Sequence, residues 1–189
     1  MSKRNYHIDL IRQMAECDAN YIRLLKLVPQ LQAYRNRSFA EIALLEKSIH
    51  DRVLIQQIQN SAEPEKLLEG LSVEFCIANQ NSDGEKVTVE IVIVEAFKYT
   101  TTLKITQKPV LRQWMTNPSM LVRTYHDAST AEVVSYQGHK NFKPRYSSPN
   151  PKMYHSDEKM QVNRFLGEWL THSLKVGRSN KTAEKILNT

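Results

Sequence analysis

The alternation of apolar and polar side chains between Leu71 and Phe97 restricts this chain more than any other feature. From Leu71 to Ala78, and again from Lys86 to Phe97 through Val87, Val89, Ile91 and Ile93, apolar residues recur at every second position. That is the period of a strand with one buried face. The stretch between them, Asn79 to Glu85, contains the turn pair Asp83-Gly84, so the two strands read as a hairpin. Tyr99 to Thr106 follows with three consecutive threonines, whose β-branching suits a strand with Leu103 and Ile105 facing inward, and Lys108-Pro109 terminates it. Met120 to His126 and Ala131 to Gln137 are two further candidates, joined by Asp127-Ala128-Ser129-Thr130. Five strands in succession predict an antiparallel meander.

Helices flank these strands. Leu10, Met14, Cys17, Tyr21, Leu24, Leu25 and Val28 fall at the three-and-four spacing of one helical side, and Pro29 ends that helix. Ser38-Phe39-Ala40-Glu41 has the pattern of a capping box and starts a second, with Ile42, Leu45, Ile49, Val53 and Gln56 on its buried side. Asn60 to Lys66, with Pro64, reads as a break. Gly138 to Ser156 carries Pro144, Pro149 and Pro151 and reads as a long loop. A last helix begins after Ser156, with Asp157 and Glu158 in its positive first turn. Val162, Phe165, Leu166, Trp169 and Ser173 mark its buried side, and it ends near Lys175 with Gly177 as cap. The expected fold is therefore α+β: amino-terminal helices, about five mainly antiparallel strands, and a carboxy-terminal helix packed on the sheet. At 189 residues one domain is expected over residues 1–177, with a helical elaboration at about 38–66 and a polar tail at 178–189.

Several function classes lose ground early. The longest mainly apolar stretch, Val87 to Phe97, carries Glu90 and Glu95 and is about half as long as a membrane-crossing helix must be. The start, MSKRNYHIDLIRQM, has no apolar run before a small-residue cleavage site. Cys17 and Cys76 each sit among apolar residues, as small buried thiols do in a reducing compartment. A cytoplasmic protein without a disulfide or membrane partner is expected. There is no Gly-x-Ser-x-Gly elbow, Walker loop or Gly-x-Gly-x-x-Gly, and no two histidines stand at zinc-ligand spacing on a helix. No metal or other cofactor is expected, and an enzyme is the less favoured reading.

Charge points elsewhere. Residues 1–95 hold 11 Lys and Arg against 14 Asp and Glu, net −3, whereas residues 96–189 hold 15 against 6, net +9. From His139 to Tyr154, Lys140, Lys143, Arg145 and Lys152 interleave with Phe142, Tyr146 and Tyr154, with no acid among them. Cations hold phosphates and rings stack on unpaired bases. With Arg123 added, these residues form a candidate face for RNA or a ribonucleoprotein; the competing account has the rings pinning the loop and the lysines simply in water. His126 and Asp127, with Glu132 and Asn150, are weaker candidates for a small-ligand or catalytic site. Because neighbours in a strand point to opposite faces, His126 and Asp127 converge only where the strand has turned. A third alternative is a protein-interaction adaptor using the helix from Ile42 to Ile58.

The blocks CDANYIRLLKLVP, YTTTLKI, VRTYHDASTAEVVSYQG, FKPRYSSPNPKM and DEKMQVNRFLGEWLTHSL, in this order, resemble the YqiB-like bacterial family, a domain-of-unknown-function family of γ-proteobacteria and relatives. The resemblance covers most of the chain, apart from about Ser38 to Lys66 and the tail. It implies a small cytoplasmic bacterial protein and supplies no reaction, ligand or catalytic residue.

Overall fold

The computed structural model describes residues 9–34, 49–78, 86–108, 118–137, 139–140, 158–176, 178–179 and 184–185. The Ser38 cap, the Asp83-Gly84 turn, Gly177, Asp157 and, apart from residues 139–140, the segment from Gly138 to Ser156 read as a loop lie outside them. In chain order come α1 (Leu10–Leu27), a 3-10 segment (Pro29–Tyr34), α2 (Ile49–Asn60) and α3 (Pro64–Leu68). Next are β1 (Leu71–Ala78), β2 (Val87–Ala96), β3 (Thr100–Lys108), β4 (Ser119–Tyr125), β5 (Thr130–Tyr136) and β6 (His139–Lys140). The remaining elements are α4 (Glu158–Val176), β7 (Arg178–Ser179) and β8 (Glu184–Lys185). The fold is α+β, as the patterns require. No helix among the described residues is long and apolar enough to cross a membrane.

The sheet is an antiparallel meander in the order β6-β5-β4-β3-β2-β1-β7, with β8 also paired to β1. All five expected strands are present, and short pieces extend both edges. In β4 and β5 burial alternates residue by residue, so the period-2 pattern translates directly into one inward face. Aliphatic side chains line up across strands: Ile91 opposes Ile105, which opposes Met120, and Ile93 opposes Leu103, which opposes Val122. All are essentially without solvent contact. Tyr21, Leu24, Leu25 and Leu31 from the amino-terminal segment and Leu166, Trp169 and Leu170 from α4 complete this core. The segments at residues 178–179 and 184–185 pair with β1, so this part of the polar tail borders the sheet.

The helices correct the sequence reading in phase. In α1, Leu10 and Met14 are exposed, whereas Gln13, Cys17, Asn20, Tyr21 and Leu24 are buried. The buried stripe includes polar residues because part of it faces polar groups of α4. In α2, Val53 and Gln56 are exposed while Ile55 and Ile58 are fully buried, because this helix packs on the 3-10 segment and α3. The break expected between Asn60 and Lys66 is confined to residues 61–63: α2 ends at Asn60, and Pro64 opens α3, where its missing N–H costs nothing. In α4, Trp169 and Leu166 are buried as expected, but Phe165 is 40% exposed, flanked by Tyr136 and Trp169. Gly70, at φ 78, makes the reversal between α3 and β1 in a conformation that only glycine adopts freely, and its amide bonds the carbonyl of Ile93.

Candidate functional site

His126 begins the turn between β4 and β5, and its backbone amide bonds the carbonyl of Tyr99. The strand has therefore turned where His126 and Asp127 meet, yet the two side chains part. The imidazole lies between two fully buried partners: the Tyr21 hydroxyl is 3.1 Å from Nδ1 and the Thr101 hydroxyl 2.8 Å from Nε2. Tyr21 also meets the imidazole edge-on, with ring centroids 5.9 Å apart. Burial lowers the His126 pKa to about 4, only partly opposed by the Asp127 carboxylate, which itself is exposed. Near neutral pH the ring is uncharged and bonded at both nitrogens. It bridges α1 to β3, and both of its nitrogens are engaged by hydroxyl groups of buried residues.

Glu132 belongs to a different set of bonds. Its Oε1 accepts from the Tyr125 hydroxyl at 3.0 Å, and its Oε2 meets Lys159 Nζ of α4 at 2.5 Å. Arg123 stands directly opposite Glu132 in the β4–β5 register. Burial and the Glu132 hydrogen bond raise the Tyr125 pKa, while Arg123 acts in the opposite sense. Thus one residue read as catalytic and one read as nucleic-acid-binding share a single polar chain, Arg123, Tyr125, Glu132 and Lys159. Tyr125 and Lys159 were absent from the sequence-derived candidates; the signal that could have found them is the lone acid of β5 between two cationic segments.

Beside this chain a cleft of about 350 Å³ opens between α1 and the β4–β5 hairpin, lined by Gln13, Met14, Cys17, Tyr125, Thr130 and Glu132 among others. Burial first, and the nearby Glu132 carboxylate second, push the Cys17 thiol up to about 11. It stays protonated, hence a poor nucleophile, at neutral pH. Among the described residues no cluster of His, Cys, Asp and Glu could hold a metal ion, and no disulfide joins Cys17 to Cys76.

The cleft is positioned by a buried polar seam. Asn163 Oδ1 accepts the Val133 amide at 2.9 Å, its Nδ2 bonds the Lys159 carbonyl, and its own carbonyl accepts Asn20 Nδ2. Arg23 bonds both Asn20 and Glu16. Gly167 sits where α1 and α4 touch: a Cβ there would lie 2.1 Å from Glu16 Oε1 and 2.9 Å from Asn20 Oδ1. Only glycine lets these side chains lie against the α4 backbone.

Of the basic candidates, Arg123 is placed as described. The backbone of Lys140 pairs with Ser135 at the β5 edge, which brings the start of the basic segment to the sheet. Phe142, Lys143, Arg145, Tyr146, Asn150, Lys152 and Tyr154 lie outside the described residues.

Comparison with known proteins supports the resemblance drawn from the sequence blocks. The uncharacterized protein YqiB of Escherichia coli strain K12 is 41% identical over 109 aligned positions, covering 53% of this chain and 77% of the relative. Uncharacterized YqiB proteins of the O6:H1 and O157:H7 strains match equally. No solved structure matches the chain significantly. A family model described as a protein of unknown function, DUF1249, matches residues 64–179, which takes in every quoted block except CDANYIRLLKLVP. Spanning more than half of the sequence and the whole sheet from β1 to β7, that match shows that the chain belongs to the DUF1249 family.

Proposed function

We propose that this protein is a non-catalytic cytosolic binding or regulatory module whose partner is RNA or a ribonucleoprotein, engaged through Arg123 and the basic-aromatic segment from His139 to Tyr154. The observation that carries the non-catalytic half is the state of His126: a neutral ring bonded at both nitrogens and enclosed by Tyr21 and Thr101. Glu132 is likewise occupied by Tyr125 and Lys159, and the Cys17 thiol is held protonated. The nucleic-acid half is supported by the charge distribution, net +9 over residues 96–189, and by the strand pairing that attaches Lys140 to β5. A fixed excess of cations attracts polyanions and makes the association sensitive to salt.

The test is binding of a fluorescent single-stranded RNA, followed by anisotropy at rising salt. The wild-type protein is expected to bind at low salt and to weaken steeply as salt rises. Replacing Lys140, Lys143 and Arg145 together by Glu abolishes binding without unfolding the protein, as read by circular dichroism. Unchanged affinity in a folded triple variant overturns the proposal.

A further inference from the structure

Resting on the nucleic-acid reading above, the inference concerns a surface that the basic segment does not include. β2 and β3 are joined by a two-residue turn, Lys98-Tyr99, closed by reciprocal backbone bonds between Phe97 and Thr100 at 2.8 and 3.3 Å. The amide of His126 bonds the Tyr99 carbonyl, tying the tip to the next hairpin. This anchored tip presents two aromatic rings to water: Phe97 is 58% and Tyr99 56% exposed. Lys98 Nζ lies 5.2 Å from the centroid of the Tyr99 ring. Rings of this size ordinarily contribute by burial, so a rigid tip that keeps two of them in solvent has the form of a contact surface.

Strand register shows what adjoins it. Ala96 and Thr101 are buried and oppose each other, so Phe97 and Thr100, one step on, lie on the outward side of the sheet. Thr100 opposes Tyr125, Thr102 opposes Arg123, and Lys104 opposes Leu121. Moving from the tip along β3, the outward side therefore carries aromatic groups first, then Arg123, then the exposed Lys104. Two carboxylates among the described residues stand beside Arg123 on this track: Glu95, exposed and opposite Thr102, and Glu132, opposite Arg123 and bonded to Tyr125 and Lys159.

We propose that the Phe97-Lys98-Tyr99 tip, with Arg123 and Lys104 behind it, is a platform for single-stranded nucleic acid. Unpaired bases stack on the two rings, and the cations hold the phosphates that follow. Stacking on aromatic side chains tolerates any base, so the platform is selective for unpaired strands and indifferent to sequence. A duplex keeps its bases stacked on one another and offers only its phosphates.

The test compares a labelled oligouridylate with a duplex of the same length, binding to the full chain at low salt. The double variant Phe97→Ala/Tyr99→Ala removes rings that are already mostly in water, so its melting temperature stays near that of the wild type. Its affinity for the single strand is expected to fall by about tenfold or more, while duplex binding changes little. Tyr99→Phe keeps the stacking surface and retains affinity, and Glu95→Gln tightens binding by removing a like charge from the phosphate track. A folded double variant that binds the single strand as tightly as the wild type overturns the platform. If the triple Glu variant of the basic segment loses binding in the same assay, the broader nucleic-acid reading survives that failure. A folded wild-type protein that binds neither probe at low salt overturns both.

Discussion

The middle of the sheet is buried throughout and the polar contacts of α1 are buried or half-buried, but the two are held together by different means. Across β2, β3 and β4 the rows Ile91-Ile105-Met120 and Ile93-Leu103-Val122 are aliphatic, and their stability depends on volume filled and water excluded. Along α1, by contrast, Asn20 reaches the Asn163 carbonyl, Tyr21 reaches His126, and Arg23 reaches Glu16 and Asn20. Those contacts depend on direction, because a buried polar group that loses its partner carries the full cost of its lost hydration. The sheet centre should therefore tolerate changes of shape at constant volume, while α1 should tolerate neither a shape change nor a missing partner.

The largest effect expected is at the sheet centre. Leu103→Ala empties a fully buried site and should lower unfolding free energy by about 2–5 kcal/mol, whereas Leu103→Met should cost less than about 1.5 kcal/mol. Equal losses in urea titrations would erase the proposed contrast. The next effect belongs to His126. Unfolded histidine titrates near 6.5 and the buried ring at about 4, so between those values the unfolded chain binds the extra proton. The stability this group contributes is complete above pH 6.5 and declines as pH falls toward 4, by up to about 3 kcal/mol. His126→Gln should flatten that part of the stability profile relative to wild type. An identical slope in the variant would show that acid sensitivity has another source. Smaller again, Asn163→Ala strands the Val133 amide and should cost about 1–3 kcal/mol. A value near zero would mean that water replaces the side chain and that the seam is less directional than its bonds suggest.

The same contrast explains what the sequence disclosed. Strands were legible because their inward faces are mainly apolar; in β4 and β5 burial follows the alternation at every position. The seam was not, because Gln13 and Asn20 look like solvent-facing residues, and the buried partner of Asn20, Asn163, lies on α4, far away in sequence. Assigning Leu10 and Met14 to the buried side followed from treating every apolar residue at helical spacing as core. At the candidate site, Arg123 and Glu132 were each picked out for their charge but assigned to separate functions. Only cross-strand register places them opposite each other, and register is not visible in a single strand's pattern. His126 was only a weaker site candidate, able to meet Asp127 where the strand had turned; its actual partners, Tyr21 and Thr101, offer hydroxyl groups from two distant elements. The exposed tip at Phe97 and Tyr99 gave no periodic signal, since two rings flanking a turn look the same in sequence whether they are buried or not.

The pairing of β1 with the segments at residues 178–179 and 184–185 also sets an order of events during synthesis. A ribosome moving at roughly 5–20 residues per second completes β1 several seconds before it reaches the pieces that border it. The meander from β1 through β5 can assemble as it emerges, each strand finding its neighbour already made. One side of β1 must wait. During that interval the nascent chain carries an open strand edge, able to pair with another nascent chain on the same message.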